Sequence, residues 1–106
     1  MKTEQRIQQE IIVYYRNKNI DNDNLIFSVP NDSRNAVEQI RKVATGLMAG
    51  VSDLIIVKKN EVIFVEIKDE NGKQSEKQKI FEKKIKALGF DYHIVRSLHE
   101  FILKKL

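Results

Sequence analysis

Apolar residues along the chain recur with two periods, one helical and one that runs on both faces of a strand. In residues 3–18, Ile7, Ile11, Tyr14 and Tyr15 fall at helical spacing behind Thr3, a helix-capping residue type, and predict a first helix. A polar stretch from Asn17 to Asn24 separates it from a short strand, Leu25–Val29. Pro30-Asn31-Asp32-Ser33 reads as a turn that stops this strand and supplies an N-cap to the next helix. From Arg34 to Met48 the set Val37, Ile40, Val43, Ala44, Leu47 and Met48 predicts that second helix, ended by Gly50.

Two apolar runs come next, at Ser52–Lys58 and Glu61–Lys68. Their LIIV and VIFVEI segments are apolar at successive positions, so the sheet they form should be covered by helices on both sides. Ser75 to Leu88 predicts a helix capped by Ser75 and ended by Gly89; Asp91–Val95 is then a strand and Leu98–Leu106 a final helix. The order α-β-α-β-β-α-β-α describes one α/β domain over residues 1–106, a mixed sheet flanked by helices on both faces.

Composition removes several kinds of chemistry. With 42% hydrophobic and 32% charged residues the chain is of globular and not disordered type. It has no Cys and two His, which excludes disulfides, thiol catalysis and thiolate metal sites. The N-terminal MKTEQRIQQE lacks an apolar signal run and no segment approaches the ~20 apolar residues of a membrane span, so a cytoplasmic protein is expected, with no membrane partner. Nothing calls for a nucleotide cofactor. The net charge of +4 is modest, but between Lys73 and Lys86 six lysines (Lys73, Lys77, Lys79, Lys83, Lys84, Lys86) meet only Glu76 and Glu82. Such a run is either a solvated helix face or a surface for a phosphate backbone, where each neutralised phosphate releases counterions.

The central hairpin holds the candidate chemistry. Lys59-Asn60 is a natural two-residue turn, which makes opposed residues sum to 119: Lys58 faces Glu61, Val57 faces Val62 and Asp53 faces Glu66. The two acids would then stand about 5 Å apart at Cβ, with Lys68 projecting from the same face. Opposed carboxylates repel and are costly to bury. Two arrangements relieve this: a hydrated strand end neutralised by Lys68, or a divalent cation between Asp53 and Glu66 with the Ile67 backbone carbonyl completing the coordination. Oxygen ligands of this kind suit Mg²⁺ or Mn²⁺. Glu10, among the apolar residues of the first helix, and Gln78, at the head of the Phe81–Ile85–Leu88 stripe, are polar groups on core-facing stripes and are expected around the same site. His93 and His99 lie away from these motifs and read as structural.

The motifs Gly50-Val51-Ser52-Asp53, Glu66-Ile67-Lys68 and Asn71-Gly72-Lys73-Gln74-Ser75-Glu76-Lys77-Gln78, with the later Ala87-Leu88-Gly89-Phe90, resemble a VRR-NUC domain, the virus-type replication–repair nuclease branch of the PD-(D/E)xK superfamily. The likeness runs from the Glu10 helix through Ser28–Asn31 to Val95–Ser97. The resemblance implies a restriction-endonuclease-like fold and divalent-metal-dependent phosphodiester hydrolysis. It makes Asp53 and Glu66 metal ligands, Lys68 the catalytic lysine, Glu10 the helix-1 acid (for a second metal or an outer shell) and Gln78 the helix glutamine. Ser52 stands where the family usually has Pro, which loses a fixed φ but no ligand.

Three functions are weighed on these residues: a metal-dependent endodeoxyribonuclease, a catalytically silent nucleic-acid-binding module on the same fold, and a protein-interaction domain whose charges form an ion cluster. Joint retention of Asp53, Glu66 and Lys68 favours the nuclease. Lys73, Lys77 and Lys84 are the expected DNA contacts. The resemblance further implies work on branched DNA such as four-way junctions, in phage or cellular repair and recombination. A homodimer would supply two active sites, and the apolar stripe of residues 36–48 is its expected interface.

Overall fold

The computed structural model describes residues 1–30 and 35–106. Its elements take the expected order: α1 (Glu4–Lys18), β1 (Leu25–Ser28), α2 (Ala36–Ala44), β2 (Leu54–Lys58), β3 (Glu61–Ile67), α3 (Glu76–Ala87), β4 (Asp91–Val95) and α4 (Leu98–Lys104). The four strands form one sheet in the order β1-β2-β3-β4. The first three are antiparallel neighbours and β4 runs parallel to β3, reached through the α3 crossover. This is the mixed α/β architecture that the apolar pattern predicts.

Strand alternation sorts the core into two clusters. Ile63, Val65 and Ile67 on β3, with Leu54, Ile56, Ile26 and Val95, face α1 and α4. They bury Ile7, Ile11 and Tyr15 of α1 and Phe101 of α4, and Tyr14 and Tyr15 meet Phe101 edge-on. The opposite face carries Phe64, Tyr92 and Ile94 against Phe81 and Ile85 of α3. Thr3 caps α1, its hydroxyl accepting from the Arg6 N–H at 3.1 Å. Ser75 caps α3 in a reciprocal pair with Gln78: the Ser75 hydroxyl accepts from Gln78 N–H and the Gln78 side chain accepts from Ser75 N–H.

Two expectations about the second helix are corrected. The second helix stops at Ala44, not near Gly50, because Gly46 (φ +114°) forms a left-handed C-terminal turn: its N–H reaches Val43 O at 3.1 Å and Leu47 N–H reaches Lys42 O at 2.8 Å. Asn35 supplies its N-cap, the side chain accepting from Glu38 N–H at 2.9 Å; the turn expected at 30–33 lies, Pro30 apart, outside the described residues. Helices cover both faces of the sheet, as expected, though not evenly. Among the described strands α3 packs over β3 and β4, and Leu25 and Phe27 on β1 stay exposed on that face. The Val37, Ile40 and Val43 stripe of α2 is also exposed, and among the described residues α2 packs against no other element.

Candidate active site

Asn60 takes the left-handed conformation (φ +59°) that closes the Lys59-Asn60 turn, and the register runs from Lys58↔Glu61 to Leu54↔Val65. One step further, where the ladder opens, come Asp53 and Glu66. Asp53 Oδ2 accepts from the Ile67 backbone N–H at 2.6 Å, which pins its carboxylate at the end of β3. Glu66 is fully buried. Its Oε1 accepts from the Tyr92 hydroxyl at 2.5 Å and from Gln74 Nε2 at 3.1 Å. Its Oε2 is buried with no hydrogen-bond partner among the described residues, and the Lys68 ammonium stands 3.9 Å from it.

Lys68, itself buried, donates to Gln78 Oε1 at 2.8 Å. The same Gln78 oxygen accepts from Ser75 N–H at 2.8 Å, so the cap that starts α3 also fixes the partner of the lysine. The loop before β2 is pressed against this helix start: a Cβ on Gly50 (φ +86°) would collide with the Lys77 carbonyl. Ser52 is buried and donates to Leu54 O at 3.3 Å.

Burial raises the Asp53 carboxyl above its ordinary value; the Ile67 N–H works against this, and Glu4 and Glu66 add to it. Burial, then its bond to Glu66, pushes the Tyr92 phenol far up, so that it stays a donor. Glu82 is desolvated too, but hydrogen bonds from Lys86 and Gln74 hold it below the usual value.

The structure brings Asp53, Glu66, Lys68 and Gln78 together and leaves Glu10 out. The Glu10 carboxylate binds Lys2 at 2.7 Å and Arg6 at 3.5 Å, and the Lys2 bond holds its pKa low. It lines a separate cleft with Arg96, Leu98 and His99. The helix-1 acid beside the cluster is Glu4, whose Oε2 accepts from Asp69 N–H at 3.4 Å and whose charge acts on Asp53. The reason is helix rise: Glu4 lies about 9 Å nearer the N-terminal end of α1 than Glu10. Glu4 precedes Ile7 and Ile11 at helical spacing, a signal already in the sequence. Tyr92 and Gln74 are further site residues that the sequence pattern does not single out; Tyr92 is visible there only as an apolar position two before Ile94. His93 and His99 take no part in the cluster's hydrogen bonds: burial lowers His93 on β4, and His99 lines the Glu10 cleft. Lys73, Lys77 and Lys84 are exposed on or just before α3.

Residues 1–98 match the VRR-NUC domain family. The chain belongs to the VRR-NUC domain family. A solved structure described as a VRR_NUC domain protein superposes with a TM-score of 0.80 at 20% identity, over 99% of this chain and 86% of that one. No curated protein matches the chain. The VRR-NUC fold is thus present almost end to end, a nuclease-type fold.

Whether this VRR-NUC site suits a metal is a question of donors. Among the described residues no three Asp, Glu or His side chains form a cage by themselves. The donors present are the Asp53 and Glu66 carboxylates, the second with a buried oxygen that makes no hydrogen bond among the described residues and has the Lys68 ammonium 3.9 Å away. A hard cation that keeps several waters and takes one or two carboxylates fits that set. Asp53, Glu66 and the Ile67 carbonyl are the groups that would hold it. Among the described residues no helix is long and apolar enough to cross a membrane.

Proposed function

We propose that this VRR-NUC domain is a Mg²⁺- or Mn²⁺-dependent endodeoxyribonuclease that hydrolyses phosphodiester bonds in branched DNA, four-way junctions foremost, as a homodimer in the cytoplasm of a cell or of a viral host. The observation that carries the reading is the unsatisfied Oε2 of Glu66, fully buried beside Asp53 and Lys68. A buried carboxylate oxygen without a hydrogen bond costs about 1–3 kcal/mol; the Lys68 ammonium at 3.9 Å offsets its charge without making that bond, and a bound cation would satisfy the oxygen.

When bound, a divalent ion supplies positive charge to the scissile phosphate and lowers the pKa of water. The chain's own residues do the rest. Asp53 and Glu66 fix where the ion sits. Lys68 has three N–H donors, of which Gln78 takes one. The others orient an attacking water and offset the charge that builds on the phosphate oxygens. Glu4 takes the helix-1 role expected of Glu10, acting on Asp53 through the outer shell. Lys73, Lys77 and Lys84 contact the phosphate backbone.

Support for the dimer comes from α2. Val37, Ile40 and Val43 form an exposed apolar stripe on a helix that no other described element covers. Two-fold pairing of this stripe would bury it and give the two sites that symmetric cutting of a junction requires.

The test is a panel of labelled four-way junctions, flaps and single strands incubated with Mg²⁺, Mn²⁺ or EDTA. Paired, near-symmetric cuts in the junction, absent in EDTA, are expected. Binding without cleavage in either metal would return the silent binding module; cleavage of flaps and single strands alone would remove the junction and dimer readings while sparing the nuclease.

A further inference from the structure

The two oxygens of the buried Glu66 carboxylate are treated differently: donors hydrogen-bond Oε1, while Oε2 has only the Lys68 ammonium at 3.9 Å. Oε1 accepts from Tyr92 at 2.5 Å and Gln74 at 3.1 Å, which fills both of its lone-pair directions, while Oε2 is left without a donor. Both donors are themselves fixed. Tyr92 sits on β4, opposite Phe64 in the parallel register, with its ring packed edge-on to Phe81. Gln74 spends its second amide hydrogen on Glu82 Oε1 at 2.9 Å, and Glu82 is anchored by Lys86 at 2.7 Å.

We propose that Tyr92 and Gln74 are positioning residues that restrict Glu66 to a one-oxygen ligand, presenting Oε2 alone to the metal. The inference rests on the metal-dependent reading above and deepens it. A carboxylate bound through both oxygens fills two positions of an ion that has few to spare; one bound through a single oxygen leaves a position for water or a phosphate oxygen. The donors on Oε1 thereby keep open a place where the reaction needs one. A Tyr92–Glu66 bond that served packing alone would have no bearing on how many waters a bound ion keeps.

Counting those waters tests the proposal. The full chain, freed of metal, is saturated with Eu³⁺, and emission decay in H₂O and D₂O reads the number of waters on the bound ion. Glu66→Gln, as a control, should abolish this binding. The double variant Tyr92→Phe/Gln74→Ala is expected to hold Eu³⁺ with about one water fewer than wild type, because the released carboxylate closes on the ion with both oxygens. Gln74→Ala alone, at a half-exposed position outside the helices, carries the same expectation in smaller degree should the double variant fail to fold. An unchanged count in the folded variants overturns the positioning role while leaving the metal site standing. A wild-type protein that binds no Eu³⁺, or binds it equally after Glu66→Gln, overturns the metal reading and this inference together.

Discussion

At Asp53 burial and hydrogen bonding oppose one another, and burial prevails, so the folded protein holds the carboxyl proton more tightly than the unfolded chain does. Ionised Asp53 therefore costs the metal-free fold stability, and the cost is absent below the ordinary value of 3.8 and complete once pH has risen through the raised folded value. Asp53→Asn keeps an acceptor for the Ile67 N–H and removes the charge. In EDTA at pH 7 it should melt above wild type, with the advantage fading in acid. In Mn²⁺ the order should reverse, since only wild type gains stability from the ion. Melting curves across pH with EDTA or Mn²⁺ check both signs. Lys68 calls for a different measurement, because its ammonium is buried at the cluster whereas Lys77 and Lys84 are exposed. Lys68→Ala should slow single-turnover cleavage roughly 10²–10³-fold with little change in DNA affinity. Charge reversal at Lys77 and Lys84 should instead weaken binding and flatten its salt dependence by about 1 per lysine. Similar profiles for the two sets would show that one of them is misassigned.

At the scale of elements, the legible parts are those with a local cause. The hairpin register from Lys58↔Glu61 to Leu54↔Val65 is readable because a two-residue turn and period-2 alternation leave one pairing, which brings Asp53 and Glu66 to its open end, and the α3 boundaries because Ser75 and Gly89 punctuate them. The end of α2 departs from its pattern because Gly46 intervenes before Gly50, and apolar Leu47 and Met48 extend the helical spacing past a turn that Gly46 imposes. Tyr92 and Gln74 are not legible. Their meeting with Glu66 depends on the parallel β3–β4 register, which a crossover sets and no turn records. Glu10 stands out over Glu4 in the sequence because periodicity gives a residue's angle around a helix and not its height along the site. Gly50 proves to have a task other than ending α2. Its positive φ and its contact with the Lys77 carbonyl hold the Asp53 loop against the start of α3. Gly50→Ala should cost about 2 kcal/mol or more, since a left-handed strain of about 1–2 kcal/mol is joined by a backbone clash. It should also lower cleavage beyond what the stability loss explains, because the first turn of α3 carries Gln78. Denaturant melts set beside cleavage rates check this, and a variant as stable as wild type would contradict it.

For the whole molecule, sheet order and helix placement leave one end for chemistry and one helix unpartnered among the described residues. Asp53, Glu66, Lys68 and Gln78 converge where the β2–β3 ladder opens and α3 begins, while α2 exposes Val37, Ile40 and Val43. If α2 pairs with its copy, Ile40→Glu should convert a dimer to a monomer at micromolar concentration with the protomer's melting little changed; sedimentation reads the difference. A wild-type monomer would contradict the pairing. Metal-dependent cleavage through Asp53 and Glu66, as proposed, comes down to one comparison. Wild type and Glu66→Gln are given the same labelled four-way junction under single-turnover conditions, with Mn²⁺ or with EDTA. Cleavage by wild type in Mn²⁺ alone, and none by a Glu66→Gln protein that is folded and still binds the junction, is the predicted result. Cleavage that survives either EDTA or the loss of the Glu66 charge would contradict it.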